Sequence, residues 1–219
     1  FQFHPLNFMK ALAQDCITLG ASIFENCKFV NYQRNSGKIH ASIVHNNRVF
    51  NMQSEKIVFA TGGYGGKEIN ELKNYWLPIK TFIGVTKPMG DELQSVLKKP
   101  LGFSDNRRAG NYYRVLPGNR LSWGRGISAV ANYSRSSLKK VISKEISYFF
   151  PELKNIEIDY VWSGNMAYAS HYMPYVGATR IGHEDKNVFT IMGFGGHGMN
   201  TAPGAAMVLA DFMLGKGNN

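Results

Sequence analysis

The sequence predicts a mixed α/β fold. An antiparallel middle, about residues 80 to 162, is bracketed by two corners where a strand runs into a glycine loop and then a helix. Three observations carry this. Lys56-Ile57-Val58-Phe59-Ala60 is a short apolar run rich in β-branched residues that stops at Thr61-Gly62-Gly63-Tyr64-Gly65-Gly66. Asn187 to Met192 runs in the same way into Gly193-Phe194-Gly195-Gly196-His197-Gly198. Between them lie short segments punctuated by turn residues, and one amphipathic helix.

Taken in order, His4-Pro5-Leu6 opens a helix, because proline suits the first helical position and Leu6, Met9, Leu12, Ala13, Cys16 and Ile17 recur at helical spacing. Cys16 falls on that apolar stripe and reads as a small core residue. Gly20 supplies the left-handed residue that ends the helix. Ala21 to Phe24 and Phe29 to Tyr32 read as short strands. Ile39 to Val44 and Val49 to Met52 flank His45-Asn46-Asn47-Arg48, a hairpin turn, since asparagine tolerates positive φ. The glycines of 61–66 forbid a helix interior there, and a helix through Ile69, Leu72 and Trp76 is expected to follow.

Thr81 to Pro88 reads as a strand. Asn111 to Leu116 and Leu121 to Gly124 flank a hairpin at Pro117-Gly118-Asn119-Arg120. Leu138, Val141, Ile142, Ile146 and Phe149 make Ser136 to Phe149 an amphipathic helix, stopped by Pro151. Ile156 to Trp162 alternates as a strand does. Gly193 to Thr201 is expected to be a loop, and Pro203 to Leu214 a helix closed by Gly215.

Composition bounds the function. The 219 residues are 44% hydrophobic and 18% charged, which is globular. No run of about 18 uncharged apolar residues suggests a membrane span, and no signal peptide is read. Cys16 and Cys27 show neither a CxxC nor any metal spacing, so no metal is expected, and the compartment predicted is the cytoplasm, with peripheral membrane attachment left open. The net charge of +10 raises nucleic acid as a partner. However, the basic residues cluster only as the pairs Lys98–Lys99, Arg107–Arg108 and Lys139–Lys140, so no nucleic acid is expected.

Gly193 to Gly198 matches G-x-G-x-x-G between a strand and a helix, the setting in which helix amides cradle pyrophosphate. The second strand with its acidic end, about 20 residues on, does not follow before Asn219, so this is not a complete dinucleotide fold by itself. Two readings stay open. The loop either stabilises negative charge on a ligand with its free N–H groups, or it is a tight corner serving strand–helix packing. Thr61-Gly62-Gly63 carries the same pair of readings.

The stretches His4-Pro5-Leu6 through Gly20-Ala21, Phe24-Glu25-Asn26 and Ile57 to Tyr64 resemble the D-amino-acid-oxidase-like FAD-dependent oxidoreductases. Within that group the sequence looks most like the gamma-glutamylputrescine oxidoreductase branch, beside glycine and sarcosine oxidases. Trp162-Ser163-Gly164, Met173-Pro174-Tyr175-Val176-Gly177, Asn187-Val188-Phe189 and Gly193 to Gly198 extend the likeness to the end of the chain, with Arg120-Leu121-Ser122-Trp123-Gly124 in the middle.

The resemblance implies that residues 1–80 and 163–219 belong to an FAD-binding, Rossmann-like domain, and 81–162 to an antiparallel substrate domain. It implies hydride transfer from a carbon beside an amine to the flavin, with hydrolysis of the resulting imine. It places Phe29 and Val30 at the adenine, and Thr61, Gly62 and Gly63 beside the dinucleotide. Gly195, Gly196, His197, Gly198, Met199 and Asn200 fall at the pyrimidine edge of the flavin. Tyr113, Arg120, Trp162, Tyr168 and His171 are its candidate substrate residues, Arg120 as partner of a carboxylate. Each has an alternative: Arg120 as a solvent-facing turn residue, the aromatics as core, His171 as a surface or core histidine, and His197 as a packing residue hydrogen-bonded to backbone. No general base is assigned.

Members of the family begin with a strand–GxGxxG–helix unit, and none stands before Phe1. The FAD site is therefore expected to be incomplete in this chain. The N-terminal half of the fold, or a separate chain supplying it, is the expected partner, oligomerisation being left open. A non-catalytic remnant or subunit of a flavoprotein, one that does not bind FAD by itself, is the alternative function. Apolar faces and strand edges left open are expected to promote association.

Overall fold

The computed structural model describes residues 2–65, 72, 74–99, 101–107, 110–179 and 187–216. The chain divides into two compact units. One comprises residues 1–2 and 79–165, the other residues 3–78 and 166–219.

The unit formed by 3–78 and 166–219 opens with α1 (Pro5–Thr18). His4 caps it by accepting the N–H of Asn7 at Nδ1, Pro5 sits where its missing N–H costs nothing, and Gly20 closes it at φ +95°. A three-stranded antiparallel meander follows: β1 (Lys28–Asn35), β2 (Lys38–His45) and β3 (Arg48–Ser54). Its two turns are Ser36-Gly37 and Asn46-Asn47. All four residues have positive φ, the backbone that matches the twist of the flanking strands.

β4 (Ile57–Phe59) then enters a second sheet with β10 (Tyr175–Ala178) and β11 (Val188–Met192) in the order β10-β11-β4. β4 and β11 are parallel, with Phe59 opposite Thr190. Ile39, Phe59, Leu72, Trp76, Val188 and Met192 form the buried core of this unit. α4 (Gly198–Met213) ends it.

The 79–165 unit is built on a five-stranded sheet, β6-β7-β8-β5-β9. Its strands are β5 (Trp76–Thr86), β6 (Gly102–Ser104), β7 (Tyr112–Leu116), β8 (Arg120–Ser128) and β9 (Ile158–Ala169). A short α2 (Gly90–Val96) lies between β5 and β6. α3 (Arg135–Phe149) is capped by Ser134, whose hydroxyl accepts the N–H of Ser137. Its Leu138, Ile142 and Ile146 are buried in a core with Phe82, Leu121, Trp123 and Ile158. Burial of that stripe is worth about 1.5–3 kcal/mol per side chain.

Several expectations are corrected. Ala21 to Phe24 is irregular and exposed, not a strand, since no ladder partner lies beside it among the described residues. Trp76 begins β5 rather than ending a helix, because its ring belongs to the core of the 3–78 unit. Ile69 lies outside the described residues. α1 buries no residue, and Cys16 is exposed. The last helix starts at Gly198 and so contains Pro203, instead of starting there. Among the described residues no helix is long and apolar enough to cross a membrane.

Candidate functional site

β4 and β11 run in parallel, so the loops that follow them leave the same end of one sheet. The carboxyl ends of parallel strands are where ligands bind in open α/β sheets. After β11, Gly193, Gly195 and Gly196 have φ of +89°, +55° and +92°. At Gly195 a Cβ would stand 3.3 Å from Cε1 of Tyr168, and at Gly196 one would stand 3.1 Å from Sδ of Met166. Backbone shape and the Tyr168 wall together require glycine here. The loop is pinned to the end of β9 by the Gly195 N–H, which donates to the Ala167 carbonyl at 2.9 Å, and by a bridge between Tyr168 and Phe194.

His197 donates its backbone N–H to the Phe194 carbonyl at 3.0 Å and occupies the N-cap of α4, yet its side chain makes no capping bond. The first N–H groups of a helix have no intrahelical acceptor. Those of Gly198, Met199 and Asn200 thus form a positive, uncapped end. His197, Met199 and Asn200 are exposed there.

The second corner stands beside the first. Thr61 donates its hydroxyl to Sδ of Met192 at 3.3 Å, tying the two loops together. Gly62 turns at φ +57° into a single 3₁₀ turn, Gly62–Tyr64. A groove of about 470 Å³ opens between this loop and the start of β1, walled by Phe29, Phe59, Thr61 and Tyr64. The Phe29 ring packs edge-on against Phe59 at 5.4 Å. Val30, exposed on the same strand, is not one of its walls. Tyr64 was not singled out in the sequence, although a lone aromatic among glycines is the signal that finds it.

Tyr168 therefore joins Gly195 and Gly196 at the first corner. His171 lies at the exposed turn between β9 and β10, where its ring packs 4.6 Å from Tyr175 and its Nδ1 accepts the N–H of Met173.

Tyr113, Arg120 and Trp162 belong to the 79–165 unit. Tyr113 is stacked between Phe103 at 5.3 Å and Trp123 at 4.8 Å, and burial raises its phenol above the ordinary value. Trp162 is 48% exposed on β9. Arg120 is not a free turn residue: Nη1 donates to the Asp159 carboxylate at 2.7 Å and to the Thr86 carbonyl at 3.0 Å. Asp159 went unnoticed because it and Arg120 lie far apart in sequence. In the same unit Glu145 on α3 accepts from Trp123 Nε1, Arg125 Nε and Asn111 Nδ2, gathering three side chains onto one carboxylate.

A family described as FAD dependent oxidoreductase matches residues 1–212. Among curated proteins the chain is 28% identical over 217 residues to "Probable oxidoreductase OrdL" of Haemophilus influenzae, covering 97% of this chain and 47% of that protein. It is 24% identical to the gamma-glutamylputrescine oxidoreductase of Escherichia coli, covering 97% of this chain and 48% of the relative. Among solved structures, glycine oxidase from Geobacillus kaustophilus aligns with TM-score 0.73 at 19% identity, over 94% of this chain and 53% of its own. L-proline dehydrogenase from P. horikoshii aligns with TM-score 0.73 at 20% identity, over 98% and 56%. These likenesses show the fold. The chain spans about half the length of the curated relatives it matches.

Proposed function

We propose, from the premise that this chain belongs to the FAD dependent oxidoreductase family, that it is the flavin-facing and substrate-covering part of an enzyme oxidising the C–N bond of an amine or amino acid. The observation that carries the reading is the pair of glycine loops at the carboxyl ends of parallel β4 and β11, one of them running into the uncapped start of α4. Such an end is complementary to negative charge, and the donor set fits the polar edge of a flavin.

FAD, when bound, supplies the two-electron acceptor for the amine carbon. The N–H groups of Gly196, Gly198, Met199 and Asn200 would hold its pyrimidine edge, with His197 beside them. Thr61, Gly62 and Gly63 would let it approach the backbone, and Phe29 with Val30 would meet the adenine. Tyr168 fixes the loop and stands at the substrate side with His171. In the 79–165 unit, Tyr113 and Trp162 would wall the substrate. Arg120, with Nη1 engaged by Asp159, would offer a carboxylate its remaining nitrogens. The work of these residues is positioning and exclusion of water, and no protein base is invoked.

The reading assigns 1–80 and 163–219 to the flavin domain and 81–162 to the substrate domain. The remainder of the flavin site would come from the half of the fold that the relatives carry and this chain does not span. The two free cysteines agree with a reducing compartment.

The test is reconstitution. The chain is mixed with FAD, alone and with the N-terminal half of a relative, desalted, and scanned between about 350 and 500 nm, where a bound flavin ring is seen directly. Retained flavin that bleaches anaerobically on adding amines supports the reading. Retained flavin that no amine bleaches favours a non-catalytic flavoprotein subunit. Absence of flavin in both mixtures overturns the enzyme reading and favours a non-catalytic remnant that binds no flavin.

A further inference from the structure

α3 buries Leu138, Ile142 and Ile146, and its opposite side faces water. That side carries Lys140, Lys144 and Tyr148 at i, i+4 and i+8, one above the other, with Lys139 at the flank. Lys140, Lys144 and Tyr148 are exposed, Tyr148 at 81%. The stripe runs along the helix for about 12 Å. Glu145 is the one acid in α3, and it is turned away to accept from Trp123, Arg125 and Asn111. The other exposed positions of the helix are Arg135, Ser136, Ser137, Ser147 and Phe149, and none is acidic. The outer face is therefore basic throughout.

A groove of about 330 Å³ opens beside this face. Lys139, Lys140, Ser143 and Lys144 line one side of it, and the buried Ile156 and Ile158 line the other. The Ser143 hydroxyl donates to the Ile156 carbonyl at 2.9 Å and so ties the helix to the segment that enters β9. Elsewhere in the unit Lys87, Arg107, Arg120 and Arg125 each hold a carboxylate. Glu157, between the two isoleucines, is engaged by Lys87 at 2.6 Å. Among the described residues no carboxylate forms an ion pair with Lys139, Lys140 or Lys144. Three uncompensated ammonium groups thus share one short face beside an apolar groove.

We propose that the outer face of α3 docks the protein on an anionic lipid bilayer. Lys139, Lys140 and Lys144 meet the negative headgroups, each contributing roughly fivefold in affinity. Tyr148, an apolar ring with a polar tip, sits at the boundary between headgroups and chains, where tyrosine is enriched. Contact is peripheral, because the apolar stripe of α3 stays in the core of its unit, and salt weakens it. The net charge of +10 draws the chain toward the same surface. The isoleucines and the tyrosine beside the lysines favour a bilayer over a nucleic acid duplex, whose outer surface offers phosphate and no hydrocarbon.

The test floats the whole chain with vesicles of phosphatidylcholine alone, or of phosphatidylcholine and phosphatidylglycerol in equal parts. Flotation separates bound protein from aggregate, which sinks. Binding is expected on the mixed vesicles only and should fall as salt is raised. The double variant Lys140→Gln, Lys144→Gln should weaken it about 25-fold, and Tyr148→Ser by a smaller factor. Lys98→Gln with Lys99→Gln removes the same charge from another exposed pair and should change it little. An equal loss in that control assigns the attraction to net charge and overturns the proposal. So does equal binding to both kinds of vesicle, or to neither. Tighter binding to a DNA duplex, lost in the α3 double variant, assigns the face to a nucleic acid instead and also overturns it. Circular dichroism checks that each variant is folded, and all substitutions lie on exposed positions. The readout needs no flavin, so it stands or falls apart from the oxidoreductase reading.

Discussion

α1 and α3 have nearly the same length and the same kind of sequence, with apolar residues every three to four positions and a sound N-cap. Their fates differ. α3 sinks Leu138, Ile142 and Ile146 into the core of its unit. α1 buries nothing and leaves Leu6, Phe8, Met9, Leu12 and Ile17 in solvent. The contrast extends to the helix at the other end of the chain, where Met207 is 70% exposed and Phe212 54%. Helical periodicity states that a stripe exists. It does not state what covers it. The 79–165 unit contains both partners of its helix–sheet layer, whereas the 3–78 unit has two helices with an open apolar stripe each. Large contiguous apolar patches are a feature of interaction surfaces in general. In the proposed reading the other half of the fold covers these two stripes.

The largest effect that sharpens this comparison is in the sealed unit. Trp123 is fully buried and stacked on Tyr113. Trp123→Ala should cost about 3–5 kcal/mol, read as a lowered urea midpoint and lost hydrogen-exchange protection of α3. Glu145→Ala comes next. It strands the Trp123 N–H, the Arg125 guanidinium and the Asn111 amide, and should cost about 1–3 kcal/mol by the same denaturation. If Glu145→Ala proved neutral, the three donors would be finding water instead.

A smaller effect is expected at low pH. The Arg107 guanidinium and the N–H of Asn111 hold the Asp105 carboxyl down at about 2, below its ordinary 3.8. Because the folded value is the lower one, its contribution is present above about pH 4 and is lost as pH falls toward 2. Asp105→Asn should flatten that part of a stability–pH curve, and an unchanged curve would assign the acid response to other groups.

The smallest change in stability is expected on α1. Leu12→Gln or Met9→Gln should shift the urea midpoint by no more than about 0.5 kcal/mol while reducing self-association in sedimentation. A large loss of stability would mean that the stripe is already covered within this chain.

The site divides along similar lines. The glycine corners were legible because Gly62, Gly193, Gly195 and Gly196 do what only glycine does cheaply, turning the chain at positive φ at a strand end. The hairpins at Asn46-Asn47 and Gly118-Asn119 were legible for the same reason. The Ser36-Gly37 turn and the three-residue β6 carry signals only two or three residues long, and α2, seven residues with Leu93 its buried position, is too short to show a helical period. The pairing of Arg120 with Asp159 and the convergence on Glu145 were not legible at all.

By itself the sequence determined what is local: helix starts and stops, left-handed turns, strands that end in glycine, and a family pattern spread along the chain. Dihedral sterics and capping act within a few residues, so nearby letters specify them. Only the tertiary structure decided that Cys16 faces solvent, that Trp76 joins a strand, that β4 and β11 lie side by side with their loops together, and that Arg120 already holds a carboxylate. Those outcomes depend on which distant surface is present to exclude water or accept a proton, and burial is a property of a pair of surfaces rather than of either sequence alone.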